Sequence, residues 1–217
     1  MDCIFMTHQF ILDNEDWKLE TFDKVVKHYK EHNPETYLII TGHGKKPLSS
    51  TLDLVDWFYW SDNIIDGEIK VGHPKLVTKG LEHAKDVGVE YVCKTRLDSI
   101  NMISDITNYC HNILKENDKL MINTNYMVDR YGLMDLFMFS KVDMQLKLFN
   151  PTNWNVSWIP DGRGPLARNY VEDICNEKLK FPFDLNFWKE ILYKNIVFLT
   201  PEQLKWKDLR TNKIWVH

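Results

Sequence analysis

Apolar residues follow two rhythms along this chain. Short runs at Cys3 to Thr7, Thr36 to Thr41, Val55 to Trp60, Glu90 to Lys94 and Lys119 to Asn123 are consecutive and β-rich, the pattern of buried strands. Between them the spacing becomes helical. Phe22, Val25, Val26 and Tyr29 fall at i, i+3, i+4 and i+7. Gly72-His73-Pro74 opens a second helix, with proline near its first turn, striped by Val77, Gly80, Leu81 and Ala84 and ended by Gly88. A third carries Ile103, Ile106, Cys110, Ile113 and Leu114. Such alternation before residue 125 predicts an α/β fold with a mostly parallel sheet flanked by helices.

Beyond residue 125 the rhythm breaks. Leu133 to Ser140 reads as a strand and Lys141 to Phe149 as a helix, followed by a loop over 150–165 rich in Pro, Asn, Trp and Gly. Helices over 166–179 and 184–194, a strand at Ile196 to Leu199 and a tail complete the chain. No repeat, low-complexity tract or linker interrupts it, so residues 1–217 read as one domain.

Composition narrows the classes. The formal charge of −4 supplies no basic excess for nucleic acid. No apolar run approaches the ~20 residues of a membrane helix. The N-terminus meets acid almost at once and lacks a basic n-region, so a cytoplasmic protein is expected rather than a secreted one. Cys3, Cys93, Cys110 and Cys175 form no CxxC pair and are expected to be reduced, mostly buried thiols.

In an open parallel sheet, ligands sit beyond the carboxyl ends of the strands. The polar residues there are Thr7-His8-Gln9, Gly42-His43-Gly44, Ser61-Asp62-Asn63 and Lys94 to Asn101. Neither GxGxxG after the first strand nor GxxxxGK[ST] is present, which argues against dinucleotide oxidoreductases and P-loop NTPases.

The run Gly72-His73-Pro74, Gly80-Leu81, Ala84, Tyr91-Val92 and Lys94-Thr95-Arg96-Leu97-Asp98, followed by Asp135-Leu136-Phe137-Met138-Phe139-Ser140, resembles virus-encoded (chlorella-virus type) and WavE-type lipopolysaccharide glycosyltransferases. The resemblance covers about residues 1–145 by order of elements. It implies a single GT-A (Rossmann-like) domain. Residues 1–125 would bind the nucleotide sugar and 126–217 would supply the acceptor and catalytic half. The implied reaction is divalent-metal-dependent transfer from a UDP-sugar to a glycan or glycoprotein hydroxyl, with inversion. Asp98, at the DxD position, would hold Mn²⁺ or Mg²⁺, and Lys94 and Arg96 would add positive charge for the diphosphate. Arg96 stands where that motif has its first Asp, a departure from the pattern. Thr7 would lie beside the nucleoside and Asp62 would pair with the uracil edge.

The residues also have readings of their own. Arg96 and Asp98 could form a plain ion pair at a strand end. Asp135, in an apolar stretch, is a general base or else the partner of Arg130 or Lys141. Asp161 and Glu172 are rival bases. Asp161-Gly162-Arg163-Gly164 has the glycines of a mobile lid that could bring Arg163 to the diphosphate. His73 suits a helix start and His217 a solvated tail. Nucleotidyl transfer and a non-catalytic nucleotide- or glycan-binding module remain as alternatives.

Overall fold

A computed structural model describes residues 1–7, 16–61, 69–124, 133, 136–151, 165–178, 185–209 and 213–214. Strand β1 (Asp2–Thr7), helix α1 (Asp16–His32), β2 (Tyr37–His43), the short α2 (Ser49–Leu52), β3 (Trp57–Ser61) and α3 (Ile69–Asp86) come first. They are followed by β4 (Tyr91–Arg96), β5 (Ser99–Asn101), α4 (Ile106–Asn117), β6 (Met121–Thr124), β7 (Met138–Lys141) and α5 (Val142–Leu148). Helix α6 (Pro165–Asn169) runs into a π-helical turn (Tyr170–Ile174), and α7 (Leu185–Asn195), β8 (Ile196–Leu199), β9 (Trp206–Asp208) and β10 (Lys213–Ile214) close the chain.

Seven strands form one sheet in the order β3-β2-β1-β4-β7-β6-β8. Its first four strands are parallel, β7 runs antiparallel to both β4 and β6, and β6 is parallel to β8. The sheet is thus mostly parallel, as the alternation predicts. The chain leaves β1 on one side to build β2 and β3, then returns to β1's other side with β4. That reversal puts a topological switch point at the carboxyl ends of β1 and β4, where open α/β sheets form their ligand crevice.

Period-two alternation divides the core between the sheet's faces. Cys3, Phe5, Ile39 and Val92 point to one side, against Val77, Leu81 and Ala84 of α3 and Tyr170 and Val171 beyond α6. Ile4, Met6, Leu38, Ile40 and Cys93 point to the other, against Phe22, Val25, Val26 and Tyr29 of α1 and Ile106, Cys110 and Leu114 of α4. All four cysteines are free, three of them buried, and burial pushes the thiols of Cys3, Cys93 and Cys110 up. Among the described residues no helix is long and apolar enough to cross a membrane.

Several elements differ from the sequence expectation for physical reasons. Helix α3 begins before Gly72, so Pro74 sits inside it. Its end is as expected: Gly88, at φ +80°, takes the left-handed conformation that a Cβ disfavours. Strand β4 extends to Arg96 because Thr95 and Arg96 pair with Met6 and Thr7, a tertiary contact that polar composition hides. Strand β7 is confined to Met138–Lys141, while Leu133, Leu136 and Phe137 lie outside any strand. The helix expected over 166–179 ends at Ile174, and the tail contributes two strands, β9 and β10.

Candidate functional site

Buried polar residues gather at the carboxyl edge of the parallel strands. Thr7, Thr41, His43, Lys94, Thr95, Asp98, Ser99 and Asn101 are all less than a tenth exposed. Polar groups removed from water destabilise a fold unless they are bonded, so their concentration at one sheet edge marks a site rather than a core. Thr7 pairs in register with Thr41 on one side and Arg96 on the other. The Thr41 hydroxyl donates to Thr7 Oγ1 at 3.3 Å. Lys94 lies two residues before Arg96 on the same strand face, fully buried, with Nζ 5.2 Å from the centre of the Phe149 ring.

Arg96 and Asp98 are joined as a fork. Nε donates to Oδ1 at 2.9 Å and Nη2 donates to Oδ2 at 2.8 Å. The ion pair open to the sequence reading therefore exists, but it is not a surface pair. The Asp98 side chain is 4% exposed and that of Arg96 is 24% exposed, so the carboxylate lies behind the guanidinium. Bidentate charge-assisted bonds are what make such burial tolerable.

The turn that carries Asp98 is fixed from both ends. Leu209 N–H donates to the Asp98 carbonyl at 3.0 Å. Immediately afterwards β5 pairs with β9, and β9 with β10, in a small antiparallel sheet. From the other side, Asn101 is held by α1: its N–H donates to Tyr29 Oη at 3.1 Å and its carbonyl lies 2.7 Å from His28 Nε2. Burial pushes the Tyr29 phenol up and the His28 imidazole down, the latter partly opposed by the bond to Asn101. Sequence reasoning missed Thr41, the use of the Tyr29 hydroxyl and the tail's pairing. The alternation of buried Leu204 and Trp206 was the signal available for β9.

Of the residues singled out in the sequence, Thr7, Lys94, Arg96 and Asp98 come together on β1, β4 and the turn after it. Asp62, Asp135, Asp161, Arg163 and His217 lie outside the described residues. Glu172 is engaged by Arg168 Nε at 2.7 Å. Lys141, one partner considered for Asp135, has Nζ 3.4 Å from Glu90.

Asp98, the residue expected to hold a divalent ion, is paired with a cation. Its carboxylate is occupied on both oxygens by Arg96. Among the described residues no group of three or more His, Cys, Asp or Glu side chains is placed to hold a metal. A metal ion beside Arg96 would also meet a repulsion of about 4 kcal/mol per unit charge at roughly 4 Å and an effective dielectric constant of about 20.

In fold, the chain is similar to a provisionally assigned nucleotide-diphospho-sugar transferase from Desulfovibrio desulfuricans G20, with a TM-score of 0.50 over 92% of this chain and 79% of that one, at 13% identity. A glycosyltransferase involved in glycosylation of the major capsid of PBCV-1 aligns with a TM-score of 0.46, over 92% of this chain and 82% of that one, also at 13% identity. No protein-family model and no curated protein sequence matches the chain. The first likeness establishes the architecture: a GT-A-type α/β domain built on a mixed, mostly parallel seven-stranded sheet.

Proposed function

We propose that the chain is a glycosyltransferase that takes sugar from a nucleoside-diphosphate sugar, with a UDP-sugar as the donor and a glycan hydroxyl as the acceptor. The observation that carries this reading is the in-register pair Thr7 and Arg96 at the sheet's switch point, with Lys94 behind them, in a GT-A-type fold. A crevice at a switch point suits a nucleotide, and a cation at the strand end suits a diphosphate.

The reaction breaks the bond between the sugar's anomeric carbon and the diphosphate oxygen, whose electron pair leaves on that oxygen. The acceptor oxygen forms the new bond to carbon, and its proton passes to a base. We assign that base to Asp135, with Asp161 as its rival and Arg163 as a lid residue over the diphosphate. An external base in a single displacement implies inversion at the anomeric carbon. Cations aimed at the leaving oxygens stabilise charge where it develops. A divalent ion, which the sequence resemblance places at Asp98, would offset the same charge and would share that carboxylate with Arg96.

Two measurements test the reading. A thermal-shift screen of nucleoside diphosphates and nucleotide sugars should single out UDP and one or more UDP-sugars, and incubation with that donor and a glycan acceptor should release UDP. Asp135→Asn keeps size and shape, so donor binding should survive while transfer falls by about 10²–10⁴-fold. Binding without UDP release from any donor would leave a nucleotide-binding module. Near-normal turnover in Asp135→Asn would move the base elsewhere.

A further inference from the structure

We infer that a cleft at the amino edge of the sheet binds a single-chain aliphatic anion, a hydrocarbon chain ending in a carboxylate or a phosphate. This is a second site, independent of the transferase reading. The cleft has a volume of about 660 Å³, within the roughly 300–1,000 Å³ that small-molecule sites occupy. Tyr91 opens β4, Leu120 precedes β6, and Lys141 ends the antiparallel β7 between them, so all three meet at this edge. Helices α4 and α5, packed on opposite faces of the sheet, supply the walls. Arg96 stands at the far end of β4 from Tyr91, about 17 Å away at roughly 3.3 Å per residue.

The apolar part of the lining is aliphatic. Leu114, Leu120, Met144 and Ile174 face the cleft, and Leu120 is 56% exposed, so a chain lying there would cover apolar surface that now meets water. The unbranched, flexible Met144 adapts to a flexible ligand. The rings at the edge are already used. Tyr91 stacks on Phe139 at 5.5 Å and lies beneath Lys141 Nζ at 5.6 Å. His111 is edge-on to both rings, with Nε2 2.9 Å from Asp2. An aliphatic body therefore fits this lining better than a nucleobase, which needs a bare ring face.

The rim is cationic. Lys115, Lys119, Lys141 and Lys147 line the cleft against two carboxylates, Asp118 and Asp143. Asp143 is further balanced by Lys85, 2.8 Å away. Lys119 donates to the Lys194 carbonyl at 2.8 Å, and Lys141 lies 3.4 Å from Glu90. Lys115 on α4 and Lys147 on α5 are exposed and, among the described residues, have no hydrogen-bond or ion-pair partner. Each wall thus offers an ammonium to the head of a ligand whose chain lies on the aliphatic lining. Chain and charge together select the ligand, because neither feature alone distinguishes an amphiphilic anion from a plain salt or a plain hydrocarbon.

Calorimetry and thermal unfolding of the full chain test this with dodecanoate, dodecyl phosphate and dodecyltrimethylammonium, each kept below its micelle concentration. At least one of the two anions should bind one to one and raise Tm, and the cation should bind at least about tenfold more weakly. Decanoate, two methylenes shorter, should bind about tenfold more weakly than dodecanoate, or decyl phosphate than dodecyl phosphate, because each buried methylene is worth roughly fourfold. Lys115→Glu with Lys147→Glu changes only exposed positions and should weaken the anion by about tenfold or more. Leu120→Asp, also exposed, should do the same. Both variants should keep the wild-type Tm without ligand and the wild-type response to UDP. Equal binding of anion and cation, or of the two chain lengths, would overturn the inference, and so would binding that lowers Tm. A changed response to UDP in the variants would mean the cleft is not a separate site. If neither anion binds as a monomer while vesicles containing phosphatidylglycerol retain the chain, the edge is a membrane surface and the inference fails. Binding of neither probe nor vesicles removes it as well, leaving the transferase reading untouched.

Discussion

The hydroxyl of Tyr29, on the buried face of α1, accepts the backbone N–H of Asn101 at 3.1 Å. The preceding residue, His28, takes the carbonyl of the same Asn101 through Nε2 at 2.7 Å. Since a carbonyl only accepts, Nε2 carries the hydrogen in that bond. One turn of α1 thus holds both backbone polar groups of a residue in β5, three positions beyond Asp98 in the chain. The other edge of β5 is held by β9. The site's turn is clamped by a helix and a strand that lie far from it in sequence.

Tyr29→Phe isolates this clamp. The ring and its packing against the core remain, but the buried Asn101 N–H loses its acceptor, a loss of about 1–3 kcal/mol. For a chain of this size, each kcal/mol corresponds to a fall of roughly 2–4 °C in Tm. Thermal or urea unfolding should show that fall, and UDP affinity should weaken as the Asp98 turn loosens. Unchanged stability would mean that water takes the place of the hydroxyl.

His28 gives the clamp a pH dependence. Desolvation lowers its pKa, and the stacked His32 ring, 4.2 Å away, adds to this, whereas the Asn101 bond and Glu31 work the other way. The folded pKa therefore lies below the unfolded value of about 6.5. Between the two, the unfolded chain binds more protons, so this contribution is fully present above the unfolded pKa and is lost as pH falls through that window. His83, whose pKa is also lowered by desolvation, acts with the same sign. Comparing Tm from pH 7.5 to pH 5 for wild type and His28→Gln separates the two. The wild type should lose more stability on acidification than the variant, and parallel curves would assign the effect to other groups.

Most of the fold was legible because its signals are local. The helical stripes of α1, α3 and α4, the runs of β1, β2 and β8, and Gly88 at the end of α3 each depend on neighbouring residues only. The site was legible in part for the same reason. Lys94, Arg96 and Asp98 stand at or just beyond the end of a strand, and strand ends face ligands in this architecture. What escaped depends on distant partners. Arg96 belongs to β4 because Thr7 pairs with it, and Asp98 is buried because Arg96 covers it. The tail is structured because β5 offers it an edge, and the antiparallel insertion of β7 between β4 and β6 has no local signature. Tyr29 looked like one more core residue in the stripe of α1, and nothing in its spacing announces that its hydroxyl is used.

Gly80 links core packing to the site. It lies on the inner face of α3, and a Cβ there would stand 2.6 Å from Cε2 and Cζ of Phe5 and 3.2 Å from Cγ2 of Thr41. Two effects oppose each other in Gly80→Ala. Removing glycine from a helix interior stabilises by up to about 1 kcal/mol. Overpacking a filled core destabilises by about 1–3 kcal/mol. The second should win, because Phe5 is fully buried in β1, and α3 then lifts from the sheet. The displacement reaches the site through Thr41, whose hydroxyl is bonded to Thr7 at the switch point. Gly80→Ala should therefore lower the denaturation midpoint and weaken UDP binding together. Adding Phe5→Leu, which trims the ring that the new methyl meets, should cost less in the Gly80→Ala background than in wild type. Strict additivity in that double-mutant cycle would show that the two residues are not coupled and that α3 accommodates the methyl without moving.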